Sequence, residues 1–187
     1  ANYFAVLDAL RDTFGASVVP LSFPILHGEE AVGVVDVLTK KAYDASGKEI
    51  ALTADAEEKI EEYMMSINEQ VAETDEELME KFFMEEPFTE EELCKGIKAG
   101  LQQRSVTPVF CGCAASGLGT IELIENIIKY APNPAEGKPM VAVDEDGNES
   151  EVKLDPSGSP MAFVFNTFAD QYGKNSYFKV ISGDMED

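Results

Sequence analysis

The stretch T-P-V-F-C-G-C-A-A-S-G-L-G-T, residues 107–120, decides the fold. Thr107-Pro108-Val109-Phe110-Cys111 reads as a buried strand, and residues 112–119 form a loop of small side chains. A helix follows, with Ile121, Ile124, Ile127 and Ile128 spaced for a buried face, until Ala131-Pro132-Asn133-Pro134 stops it. Strand, loop and helix in that order predict an α/β fold.

Upstream, Phe4, Leu7, Leu10 and Phe14 predict an amphipathic helix over 3–14 that ends at Gly15. Residues 17–26 are largely apolar but contain Pro20 and Pro24, which suits one strand at or near a sheet edge. A second strand over 31–38 leads through Ala42 and Tyr43 to the turn at 44–47, and a further strand carries the chain to about residue 52. Between 55 and 95 lie sixteen acidic and three basic residues, more than half of the net charge of −22. There Ile60, Tyr63, Met64, Ile67 and Val71 mark the inner face of a helix, while Glu57, Glu58, Glu61 and Glu62 fall largely outside it. Thr74 with Glu77, and Thr89 with Glu92, have the capping-box spacing and predict two further helix starts, separated by Pro87.

Five of the nine prolines fall within 132–160, which places a boundary there, between a first unit at 1–131 and two strands near 161–168 and 176–181. Two strands alone make a marginal fold, so 161–187 reads as the start of a domain.

Of the 187 residues, 44% are hydrophobic and 27% charged, a soluble globular composition. Fourteen Lys and Arg against 36 Asp and Glu oppose the phosphate neutralisation that direct nucleic-acid binding needs. No run approaches the roughly 18–20 apolar residues of a membrane span, and no secretory signal opens the chain. Three cysteines, 94, 111 and 113, form no disulfide framework, so a reducing, cytoplasmic location is expected. With one His they also make a poor zinc set, and no metal site is expected.

The chain contains neither G-x-x-x-x-G-K-[ST] nor N-K-x-D. D-x-x-G occurs at 44–47, 144–147 and 155–158, where Asp and Gly favour simple turns. His27 reads as a loop residue rather than a base for Cys94, Cys111 or Cys113. Met64, Met65, Met79 and Met84 read as core filling. The acidic faces suit a solvated surface or a docking face for a basic partner.

Residues 107–120, the Ile-rich helix and Tyr130-Ala131-Pro132-Asn133-Pro134 resemble the last guanine-binding segment of bacterial elongation factor G, which typically reads P-V-x-x-G-S-A. Other resembling stretches follow in the family's order: Gly33-Val34-Val35-Asp36-Val37-Leu38 with Ala42-Tyr43, Glu77-Leu78-Met79-Glu80-Lys81, and Thr89-Glu90-Glu91-Glu92-Leu93. Ala162-Phe163-Val164-Phe165 and residues 177–183 resemble the opening strands of the family's β-barrel second domain.

The resemblance implies an excerpt of a translational GTPase: the end of the GTPase domain with an inserted subdomain at about 27–104, then the first barrel strands. The parent would bind GTP and Mg2+ and hydrolyse GTP on the ribosome to drive tRNA and mRNA movement. The phosphate loop, magnesium ligands and switches would lie upstream, so no catalytic residue is expected here and the excerpt alone should be inactive. Gly112, Cys113 and Ala114 would supply part of the guanine pocket, with Cys113 where the family has Ser. Glu57, Glu58, Glu61 and Glu62 would dock the basic C-terminal domain of the ribosomal stalk protein. A recycling or ribosomal protection paralogue, a free-standing acidic interaction module and an enzyme using Cys111 or Cys113 are the alternatives. An unpaired edge at 107–113 would also favour self-association.

Overall fold

The computed structural model describes residues 2–28, 30–136 and 139–185. The chain divides into two compact units, Ala1–Ala131 and Pro132–Asp187.

The first unit opens with α1, Tyr3–Phe14, whose first turn is capped by the Asn2 side chain. The apolar run that follows is two strands rather than the predicted one. β1, Val18–Pro20, pairs in parallel with β6, Thr107–Val109. β2, Ser22–His27, turns into an antiparallel sheet of order β2-β3-β4-β5, with β3 at Glu30–Asp36, β4 at Lys41–Tyr43 and β5 at Glu49–Ile50. Pro24 sits on the edge strand of that sheet, where its missing N–H costs no ladder bond.

The backbone of Leu21 joins the two sheets. Its N–H donates to Val109 O at 2.9 Å and its C=O accepts from Val37 N at 3.0 Å.

Three helices follow, the first packed against β1 and the other two against the first. α2, Ala54–Ala72, begins at Thr53, whose side chain caps Ala56 N, and it buries Ile60, Tyr63, Ile67 and Val71 as their spacing predicts. Each such fully buried side chain contributes about 1.5–3 kcal/mol. α3, Glu76–Phe83, is capped by Asp75, not by the predicted Thr74, whose hydroxyl donates back to Val71 O. A carboxylate one residue on outcompetes the Thr hydroxyl as acceptor for the free helix donors. α4, Glu90–Gln103, carries the predicted Thr89–Glu92 capping box. Glu92 also takes both its oxygens to Lys81 at 2.8 and 2.9 Å, tying α3 to α4 and holding its carboxyl at about 2. A Cβ on Gly96 would lie 2.4 Å from Val71 Cγ1, so only glycine lets α4 cross α2 this closely.

Met64 packs against the core, but Met65 and Met84 are exposed, so methionine spacing overstated their burial. No described helix is long and apolar enough to cross a membrane.

α5, Thr120–Tyr130, reverses its predicted orientation. Ile121, Ile124, Ile127 and Ile128 are exposed, and the buried residues are Glu122, Asn126 and Tyr130. The buried side is held by hydrogen bonds: Asn126 Nδ2 donates to Asp36 Oδ2 at 3.1 Å and to Glu122 O at 2.8 Å. The strand before it is also shorter than predicted, since pairing stops at Val109 and Phe110 and Cys111 are only half-buried. Among the described residues β6 pairs with β1 alone, and its other edge has no strand partner.

In the second unit the region read as linker contains a hairpin, β7 at Met140–Val143 with β8 at Glu149–Val152. A longer hairpin follows, β9 at Met161–Asp170 with β10 at Gly173–Ser182. Its end is fastened to the 155–158 turn, where Ser182 Oγ and Gly183 N both donate to Asp155 O. All three D-x-x-G stretches are turns in which the Gly N–H donates to the Asp C=O, as their composition predicts.

Candidate functional site

β1 and β6 run parallel with Pro20 opposite Val109, so their carboxyl ends lie on the same side. In α/β sheets, ligands bind in the crevice beyond those ends. The loop 110–119 occupies that position, between β6 and the N-terminus of α5.

Ser22 organises the start of the loop. It is buried, its Oγ accepts from Cys111 N at 2.8 Å, and its C=O accepts from Tyr3 Oη at 2.7 Å. The Ser22 hydroxyl also lies 3.8 Å from Cys111 Sγ, and burial pushes that thiol up to about 11. Cys111 is therefore protonated at neutral pH and a poor nucleophile.

The loop then folds over itself. Cys113 N donates to Leu118 O at 2.8 Å, and Cys113 O accepts from Gly117 N at 2.9 Å and Ser116 N at 3.2 Å. Gly119 closes it with φ +74, and a Cβ there would meet Cys111 O at 2.5 Å, so the position admits only glycine. Gly112, Cys113 and Ala114 are exposed on this loop. The Ala114 N–H donates to no group among the described residues, on a loop whose neighbouring residues are hydrogen-bonded to one another. The Ser116 hydroxyl and the N–H groups of Ser116 and Ala115 stabilise the Cys113 thiolate and hold its pKa below the ordinary thiol value.

The structure thus brings Gly112, Cys113 and Ala114 together on one loop. It keeps them apart in kind from Glu57, Glu58, Glu61 and Glu62, which are exposed on α2. Lys59, the one cation among those glutamates, turns its ammonium over the Phe4 ring at 4.7 Å, so the acidic face is not neutralised from within. His27 is exposed at the end of β2. Among the described residues no group of three His, Cys, Asp or Glu side chains is placed to hold a metal ion.

Sequence reasoning missed Ser22 and the Asp36–Asn126 pair, whose partners are 89 and 90 residues distant in the chain. No local pattern signals such pairings. Gly119 carried a usable signal in the Gly117-Leu118-Gly119 run.

No family model matches the chain. A crystal structure of a protein from Thermus thermophilus is similar at 27% sequence identity and a TM-score of 0.74, covering 98% of this chain and 26% of that one. The chain has an α/β fold and spans about a quarter of that protein's length.

The two cysteines of the loop should differ in reactivity. Limited iodoacetamide treatment at mildly alkaline pH, mapped by mass spectrometry, is expected to label Cys113 well before Cys111. Faster labelling of Cys111 would contradict the burial and the Ser22 contact described above.

Proposed function

We propose that this chain is part of a translational GTPase resembling elongation factor G, and that loop 112–119 contributes to its guanine pocket. The observation that carries this reading is that Ala114, exposed on a braced loop at the carboxyl ends of β1 and β6, has an N–H without a partner among the described residues. A fixed backbone donor there suits the carbonyl oxygen of a guanine base. The ordered series of resembling stretches and the Thermus thermophilus likeness over 98% of the chain support a translation-factor-like fold. Residue 113 adds little through its side chain, because a thiol is a weaker hydrogen-bond partner than the family's hydroxyl.

In this reading, hydrolysis belongs to a larger protein. GTP turnover needs phosphate and magnesium positioning and an oriented water, and the chain contains no G-x-x-x-x-G-K-[ST] to cradle the phosphates. The chain's own part is to hold the base and to meet a partner. We assign the partner role to Glu57, Glu58, Glu61 and Glu62, whose charge suits the basic C-terminal domain of the ribosomal stalk protein.

Two experiments test these parts separately. Fluorescent guanine nucleotide with Mg2+ should bind, and GTP should be hydrolysed, only when the chain is preceded by a segment bearing G-x-x-x-x-G-K-[ST] and N-K-x-D. Silence in both forms would overturn the GTPase reading and favour a stand-alone acidic interaction module. Replacing the four glutamates by Gln should slow association with the stalk domain and flatten its salt dependence. An unchanged rate and salt slope would remove the docking assignment.

A further inference from the structure

The turn at 44–47, between β4 and β5, lies against the candidate loop. A Cβ placed on Gly47 would fall 2.9 Å from Ile121 Cδ1, in the first turn of α5. One placed on Gly117 would fall 4.0 Å from the Ala45 carbonyl oxygen, and one on Gly119 would fall 3.3 Å from Val34 Cγ2, on β3. The antiparallel sheet therefore closes on 117–121 from three places, one on β3 and two on the turn beyond β4. Apart from the buried Leu118, residues 112–119 carry side chains too small to pack a core of their own, so the loop's shape depends on what backs it.

The turn is stiffened by one side chain. Asp44 Oδ1 accepts from Ser46 N at 2.8 Å, Ser46 Oγ at 2.6 Å and Lys48 N at 3.1 Å. The Asp44 N–H donates to Lys48 O and its C=O accepts from Gly47 N, both at 3.0 Å. The other two D-x-x-G turns, at 144–147 and 155–158, belong to the second unit. Within the loop, the bonds from Cys113 N to Leu118 O and from Gly117 N to Cys113 O tie the supported stretch to the residue before Ala114.

We propose that Asp44, through the turn it organises, is a positioning residue of the guanine loop: the turn holds 117–121, and with them Cys113 and Ala114, in place before a base arrives. A loop ordered in advance costs less to bind. This inference rests on the guanine reading of the loop and gives it a support outside residues 107–120.

Asp44→Ala removes the three side-chain bonds, whereas Asp44→Asn keeps an acceptor in the same place. Amide exchange with water, measured by NMR on the whole chain, tests the support. In Asp44→Ala the Cys113 and Gly117 amides should exchange about fivefold faster, the size of one net hydrogen bond, while the amides of α4 stay unchanged and Asp44→Asn stays at the original rates. Ile121→Ala, on the exposed face of α5, should in return speed the Gly47 amide. Unchanged rates in Asp44→Ala, an equal rise in α4, no rescue by Asp44→Asn, or a Gly47 amide indifferent to Ile121→Ala would each overturn the proposal. In the chain joined to the upstream segment, Asp44→Ala should weaken GDP binding about fivefold and Asp44→Asn should not. Equal GDP binding by Asp44→Ala and the unsubstituted protein would remove the positioning role and leave the guanine reading standing. No GDP binding by the unsubstituted protein would remove the guanine reading, and the exchange rates would alone decide whether the turn supports the loop.

Discussion

The backbone of one residue holds the first unit's two sheets in register. Leu21 gives its N–H to β6 and its C=O to the residue after β3, so the parallel pair and the antiparallel sheet share a single fixed joint. Its side chain is fully buried, with Val18, Val19 and Phe23 around it in the same core. Because buried backbone groups must be paired, neither sheet can slide without orphaning a donor or an acceptor. Ser22, next in the chain, extends this constraint outward by accepting the Cys111 N–H. The position of the candidate loop is thus set by the joint rather than by the loop's own residues.

The second constraint acts from the other side of the loop. α5 is attached through Asn126 to Asp36, at the end of β3, and this polar anchoring turns the isoleucines outward. Helical spacing reports which side chains share a face, not whether that face is covered. Glu122 and Asn126 occupy the buried side because Asp36 and the Glu122 backbone supply hydrogen bonds that isoleucine could not make. The loop is therefore held at both ends by long-range polar contacts, with Gly119 permitting the close approach to Cys111 O.

Elements governed by neighbours in the chain were legible in the sequence. α1, the inner face of α2, the Thr89–Glu92 box and the Asp-Gly turns all follow from interactions spanning a few residues. Elements governed by distant partners were not. The break at Leu21 depends on strands β3 and β6, and the reversal of α5 depends on Asp36. The 140–152 hairpin was hidden by composition, since Pro and Gly mark its flanks and turn as strongly as they mark a linker. For the candidate loop, its run of small residues was visible in the sequence, but the hydrogen bonds from Ser22 and within 113–118 that brace it were not.

These contacts give the guanine reading its physical content: a donor on a loop already held by its own hydrogen bonds costs little to reorganise when a base arrives. The most direct measurement is the 15N–1H resonance of Ala114, followed in the chain joined to the upstream segment while GDP or ADP is added with Mg2+. The account predicts a downfield shift of that amide with GDP and none with ADP. No shift with GDP, or the same shift with both nucleotides, would contradict it.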